Sequence, residues 1–174
     1  MKRKLIVWLP LAVTVALFTT FFVGLMRPSD RTIASQIVGQ QLPPFDATAA
    51  VPGQAGTKSS DYADGKPRLL NVFASWCGPC VAEIPVLMKL KAMGVEINGV
   101  AVHDRSEDLT RFLAENGNPY ARIGLDQGGQ AQMAFGSAGV PETFVVDGKG
   151  RILHQHIGIV TEDDIPVLLA KLKP

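Results

Sequence analysis

The N-terminal positions split sharply by polarity. Lys2, Arg3 and Lys4 are followed by 22 uncharged residues, Leu5 to Met26. As a helix rising about 1.5 Å per residue, that run is roughly 33 Å long, close to a bilayer's hydrocarbon thickness. Pro10 stands near its start, where a helix best tolerates a missing N–H. The three preceding basic residues predict a cytoplasmic N-terminus, with everything after Arg27 on the outer side. A cleaved signal peptide is the competing reading. Its apolar core is usually shorter, and no small-x-small cleavage pattern follows Gly24. The expectation is therefore residues 1–4 in the cytoplasm, 5–26 an uncleaved transmembrane anchor in a cell's inner membrane, 27–44 a linker, and 45–174 one domain in the periplasm.

Past the linker, Phe45 to Gly65 is rich in Ala, Gly, Ser and Pro and suits short edge strands and turns. Leu69 to Ala74 is almost continuously apolar, the pattern of a central strand buried on both faces. From Cys80 to Met93, Ile84, Leu87 and Met88 recur at helical spacing, and Gly94 ends the run. Val95 to Val102 is strand-like again. Ser106 is placed to cap a helix with Leu109, Phe112 and Leu113 on one face, stopped by Gly117. Thr143–Val146, a turn over Asp147–Gly150, and Arg151–Ile157 predict a β-hairpin. A last helix carries Ile165, Leu168, Leu169 and Leu172 on one stripe, capped by Asp163 or Asp164. Strand, helix, strand, helix, hairpin and helix make an α/β layer with one mixed sheet.

Charge narrows the function. Residues 1–27 hold four basic and no acidic side chains, leaving 13 basic against 16 acidic in the remainder. A basic stripe for nucleic acid is not there. The chain has two cysteines, Cys77 and Cys80, spaced C-x-x-C. A bridge closing so short a loop gains little from chain entropy, so the pair reads as a working couple rather than a staple. Zinc would want two further ligands; His103 is isolated, and His154 and His156 alternate along a strand with no tie to the cysteines. A c-type haem site would need His after Cys80, where Val81 stands. No metal is expected, and no cofactor beyond the cysteine pair itself. Cys77, at a strand-to-helix junction, has the helix N-terminus to favour its thiolate, the species that attacks disulfides. Cys80, one turn on, is placed to resolve the mixed disulfide.

Trp76-Cys77-Gly78-Pro79-Cys80, the buried strand before it and Pro85 five residues after Cys80 resemble the thioredoxin superfamily. The likeness is closer to the DsbE or CcmG family of thioredoxin-like thiol–disulfide proteins of cytochrome c biogenesis. Leu69-Leu70-Asn71-Val72, Asn116-Gly117-Asn118-Pro119-Tyr120, Gly139-Val140-Pro141-Glu142-Thr143-Phe144 and His156-Ile157-Gly158 are similar to that family in order, across about residues 36–160. The resemblance implies a thioredoxin-like α/β fold with a mixed central sheet flanked by helices, behind an N-terminal transmembrane helix. It also implies supporting roles around the cysteines for Trp76, Gly78, Pro79, Glu83 and Glu142, with Pro141 in the cis form and Val140 offering its backbone to an extended substrate. Asn71 stands where thioredoxins carry a buried Asp that assists proton transfer, so a carboxylate must come from elsewhere or water must serve. Glu142 is the first candidate and Glu83 the second.

Two departures bear on potential and groove shape. Gly78-Pro79 is the thioredoxin dipeptide where this family often has a bulkier pair, and Ser137 and Ala138 replace larger residues. The activity implied is reduction of disulfides in apocytochrome c or a cytochrome c maturation protein. A membrane-embedded thiol reductant of the DsbD or CcdA type would supply the electrons, since the chain has no G-x-G-x-x-G or flavin motif. A general extracytoplasmic reductase or oxidase, and a non-catalytic docking subunit of the cytochrome assembly machinery, are the alternatives.

Overall fold

A computed structural model describes residues 2–26, 37–137 and 139–173. They form two units, one holding the first helix and the other the residues from 37 onward. Helix α1, Lys2–Met26, has 25 residues with Pro10 inside it. Trp8, Leu9, Leu11, Phe18, Phe21 and Phe22 are exposed along it. Among the described residues no helix is long and apolar enough to cross a membrane.

The second unit is built on a seven-stranded sheet in the order β2-β1-β5-β4-β3-β6-β7. Its strands are β1 (Asp46–Ala49), β2 (Thr57–Lys58), β3 (Arg68–Phe73), β4 (Ile97–Val102), β5 (Arg122–Asp126), β6 (Glu142–Val146) and β7 (Ile152–Ile157). β3, β4 and β5 run parallel, whereas β6 lies antiparallel to β3 and β7 antiparallel to β6. β3, between β4 and β6, is buried at all six positions, Arg68 and Asn71 included, as its nearly continuous apolar run predicts. Helices α2 (Gly78–Ala92) and α3 (Ser106–Asn116) make the parallel crossovers β3 to β4 and β4 to β5. α4 (Gln130–Ala134) precedes β6, and α5 (Ile165–Leu172) ends the domain.

Several elements differ from the pattern. β5 and α4 have no clear periodic signal. Gly124 interrupts the strand, yet a Cβ there would lie 2.4 Å from the Ala47 Cβ on β1. α4 is held by the Asp126 carboxylate, which accepts from the amides of Gln130 and Gln132 at 2.9 and 3.0 Å. Ser106 is the first residue of α3 rather than its cap; Arg105 takes the cap position and offers no side-chain bond. Asp164 precedes α5, but its carboxylate turns back to the Thr161 amide and hydroxyl, closing the 3-10 turn Glu162–Asp164. Of the stretch read as a linker, residues 27–36 lie outside the described residues. Residues 37–44 belong to the domain: the amides of Gly39 and Leu42 donate to Ile152 and Gly150, and Leu42 is buried. Ala138 also lies outside the described residues.

Candidate active site

The central strand ends at Phe73, and Ala74–Trp76 carry the chain to α2. Cys77 is the N-cap of that helix and Pro79 occupies its first turn, where no amide is missed. Cys77 and Cys80 form a disulfide with S–S 2.16 Å and Cα–Cα 5.3 Å. The Cys80 amide donates to Cys77 Sγ at 3.2 Å. A sulfur negative charge at position 77 therefore meets a helix N-terminus and a directed N–H, both of which favour thiolate. Cys80 has no such cap. In the disulfide both residues are buried, Cys77 at 4% exposure and Cys80 at 1%, so access separates them only slightly. Gly78 and Pro79 are exposed between them. Trp76 is 61% exposed, and its indole N–H donates to the His103 carbonyl at 3.1 Å.

Beneath the disulfide lies a buried polar chain. Glu83 falls on the stripe of Cys80, Ile84 and Leu87 and has no exposed surface. Its Oε1 accepts from Asn71 Nδ2 at 3.0 Å, and its Oε2 accepts from the Val160 amide at 3.1 Å. The Asn71 amide nitrogen also donates to Thr143 Oγ1, while the Tyr120 hydroxyl donates to Asn71 Oδ1 at 2.8 Å. Burial pushes the Glu83 carboxyl up to about 7, against the downward pull of its bonds to Val160 and Asn71. Burial, with the Glu83 charge beside it, holds the Tyr120 phenol well above its usual range. Asn71 thus contributes no proton of its own but ties a titratable carboxyl to the strand that leads to Cys77.

Glu142 is also fully buried, so neither glutamate is a solvated surface residue. Its Oε1 accepts from Gln155 Nε2, and its Oε2 has no partner among the described residues. Glu142 pairs with Val72 and Asn71 with Thr143, one residue apart on β3 and β6. Alternation puts Glu142 on the opposite sheet face from Asn71 and its partners. Glu83, one helical turn from Cys80, is the carboxyl that burial raises toward neutrality, while Glu142 stands beside the cis-proline. The place of Glu83 on the apolar stripe was the sequence signal for burial. The Val140–Pro141 bond is cis, at the end of β6 next to the end of β3; Pro141 is buried and Val140 half-buried.

Sequence reasoning missed a second set of bonds. Asp104, buried after β4, accepts the Ser75 amide and hydroxyl at 2.5 and 2.7 Å and the Arg105 amide at 2.8 Å. Nothing in the spacing of Asp104 announces that contact, which needs β3 and β4 side by side.

A mixed sheet with a disulfide on the helix cap beyond its central strand, and a cis-proline at the neighbouring strand end, defines a thiol–disulfide oxidoreductase of thioredoxin-like fold. The redoxin family model matches residues 37–172. The chain is 38% identical over 171 residues to the thiol:disulfide interchange protein HelX of Rhodobacter capsulatus, covering 98% of this chain and 95% of that one. It is 36% identical over 166 residues to the thiol:disulfide interchange protein DsbE of Haemophilus influenzae, covering 93% and 90%. The crystal structure of a thiol:disulfide interchange protein DsbE from Chlorobium tepidum matches with a TM-score of 0.65 and 29% identity over 78% of this chain and 98% of that one. The chain belongs to the redoxin family, among the DsbE and HelX thiol:disulfide interchange proteins.

Proposed function

We propose that the protein is a membrane-anchored dithiol reductant of the periplasm, acting on the cysteines of apocytochrome c or of a cytochrome c maturation protein. The observation that carries the exchange chemistry is the Cys80 N–H on Cys77 Sγ at the helix cap. In the dithiol form Cys77 is the attacking thiolate. Its sulfur bonds to one sulfur of the client disulfide and the other leaves as a thiolate, which takes a proton. Cys80 loses its proton and attacks Cys77 Sγ, releasing the second client thiol and leaving the Cys77–Cys80 disulfide. Two electrons and two protons pass to the client. Cys80 is buried, so its proton needs an internal acceptor, and Glu83 at about 7 is matched to that task near neutral pH.

Support for the client comes from the resemblance to the cytochrome c biogenesis family in the blocks around Pro141, Tyr120 and Gly158. The Val140 backbone would pair with an extended client segment, with Trp76, Gly78 and Pro79 beside it. A membrane-embedded thiol reductant of the DsbD or CcdA type would restore the dithiol, with no bound cofactor. The anchor is supported by the 22 uncharged residues 5–26 behind three basic ones, and by the hydroxyls of Thr14, Thr19 and Thr20, each donating to the carbonyl four residues back. No polar group of those side chains is left to face lipid unpaired.

A Cys80→Ala variant retains the attacking thiol and loses the resolving one. In cells making c-type cytochromes it should accumulate a mixed disulfide with apocytochrome c or a cysteine-bearing maturation protein, identified by non-reducing electrophoresis and mass spectrometry. Capture should vanish when Cys77 is also replaced. A trapped set of exported proteins with no cytochrome component would replace this client with general reduction.

A further inference from the structure

Glu83 completes its hydrogen bonding outside its own helix, on the amide of Val160 in the loop between β7 and α5. What fixes that amide is therefore part of the site. Val160 is wholly buried, but the residues on either side of it are open, Ile159 at 40% exposure. The ring of His156, at the end of β7, bridges the loop. Its Nε2 lies 3.0 Å from the Ile159 carbonyl. A carbonyl only accepts, so Nε2 carries the hydrogen. The peptide whose oxygen is held in this way is the one whose nitrogen belongs to Val160. In that planar trans peptide the C=O and N–H point in opposite directions, so holding the Ile159 carbonyl aims the Val160 N–H the other way, toward Glu83 Oε2.

Two more contacts close the same loop. His156 Nδ1 faces Asp164 Oδ1 at 3.6 Å, and the other oxygen of Asp164 accepts the Thr161 amide and hydroxyl at 2.8 and 2.7 Å. The Gly158 amide donates to the Pro141 carbonyl at 3.0 Å, so the loop is pinned to the cis-proline as well. His156 pairs across the sheet with Thr143, which bonds Asn71. Both ends of the Glu83 carboxylate are thus held by groups that lead to one residue.

We propose that His156 is a positioning residue for thiol–disulfide exchange: by bonding the Ile159 carbonyl it presents the Val160 N–H to Glu83 and thereby sets how tightly Glu83 holds its proton. The groups facing the imidazole are His154 on β7, itself near Lys171 on α5, and Asp164 in the 3-10 turn. Those facing the carboxyl are Asn71 on β3, Tyr120 before β5 and Val160. The inference concerns the exchange site itself and stands for whichever client that site reduces.

The test uses the full chain in detergent micelles. The infrared band of the protonated Glu83 carboxyl, assigned by its loss in Glu83→Gln, is followed against pH in the disulfide form. In His156→Leu the midpoint should rise by about one pH unit, the effect of losing one charge-assisted hydrogen bond to the carboxylate. His156→Gln, whose amide donates from the position of Nε2, should restore it. If His156→Leu does not fold, His156→Asn replaces it, since its amide reaches only the position of Nδ1. A midpoint unchanged in the Leu or Asn variant, or raised as far in Gln, overturns the proposal. The second readout is the pH profile of Cys77 alkylation in the reduced protein. The His156→Asn effect on that profile should disappear in a Glu83→Gln background; its persistence means His156 acts by another route. No client enters either measurement, so the outcome is independent of the client proposed above.

Discussion

Glu83 holds a carboxyl with no exposed surface and, among the described residues, no cationic partner, satisfied by one side-chain amide and one backbone amide. Desolvation disfavours its charged form more than those two donors favour it, and the balance settles near 7 rather than 4.5. That balance has a sign for stability. Between about pH 4.5 and 7 the folded protein keeps the Glu83 proton that the unfolded chain releases. The folded state then binds more protons, so its stability falls as pH rises through that window and levels off above it. The loss is on the order of 3 kcal/mol, from about 1.4 kcal/mol per pH unit. Urea denaturation of the disulfide form at a series of pH values should show wild type losing stability relative to Glu83→Gln across the window. A constant difference between the two would place the Glu83 titration outside it. The sequence shows that Asn71 cannot titrate; the resemblance to thioredoxins then asks for another carboxylate or for water in its place. Choosing between Glu83 and Glu142 takes three dimensions, because both are buried and only register separates the two faces of β6.

At the scale of elements, the two parallel crossovers bring the end of β4 against the loop that leaves β3. The Asp104 carboxylate fastens Ser75, and the His103 carbonyl takes the Trp76 indole. His103 itself sits at φ 49°, in the left-handed region, with its ring Nδ1 on the Gln127 carbonyl at 3.0 Å. The segment just before Cys77 is thus positioned from a neighbouring strand. Asp104→Ala removes the acceptor for three donors and should destabilise the protein by about 2–3 kcal/mol, some 1 kcal/mol per bond. It should also free Trp76, read as a red shift and lower anisotropy of indole emission. Full stability would mean that water replaces the carboxylate without cost. Elements with a clean period, β3, α2, α3 and the β6–β7 hairpin, were legible in the chain. β5 was not, since its Gly124 answers to Ala47 on another strand rather than to its neighbours in sequence.

At the scale of the whole molecule, the sheet has a working end and a retaining end. Cys77 follows the end of β3, next to Glu142 and the cis-proline. At the other end, about 14 Å along β6, residues 39–42 are strapped to Gly150 and Ile152 and Gln41 bridges to Arg151. Residues 39–42 therefore join the domain at the end of the sheet away from its redox centre. The tether proposed here then has a definite requirement: residues 1–26 must remain on the mature protein. Three basic residues before 22 uncharged ones would set the length and orientation of that tether. Membrane-extracted protein should show the intact mass of 18.7 kDa. It should resist alkaline extraction, and protease added from the periplasmic side should cut the domain and spare the anchor. A membrane-free species beginning near residue 28 would make the first segment a cleaved signal peptide. Deleting residues 1–26 behind a cleavable signal should release the domain with its alkylation profile unchanged, because the bonds that hold Cys77, Cys80 and Glu83 come from Asn71, Cys80 and Val160 of the domain itself. A changed profile would mean that the first segment does more than tether.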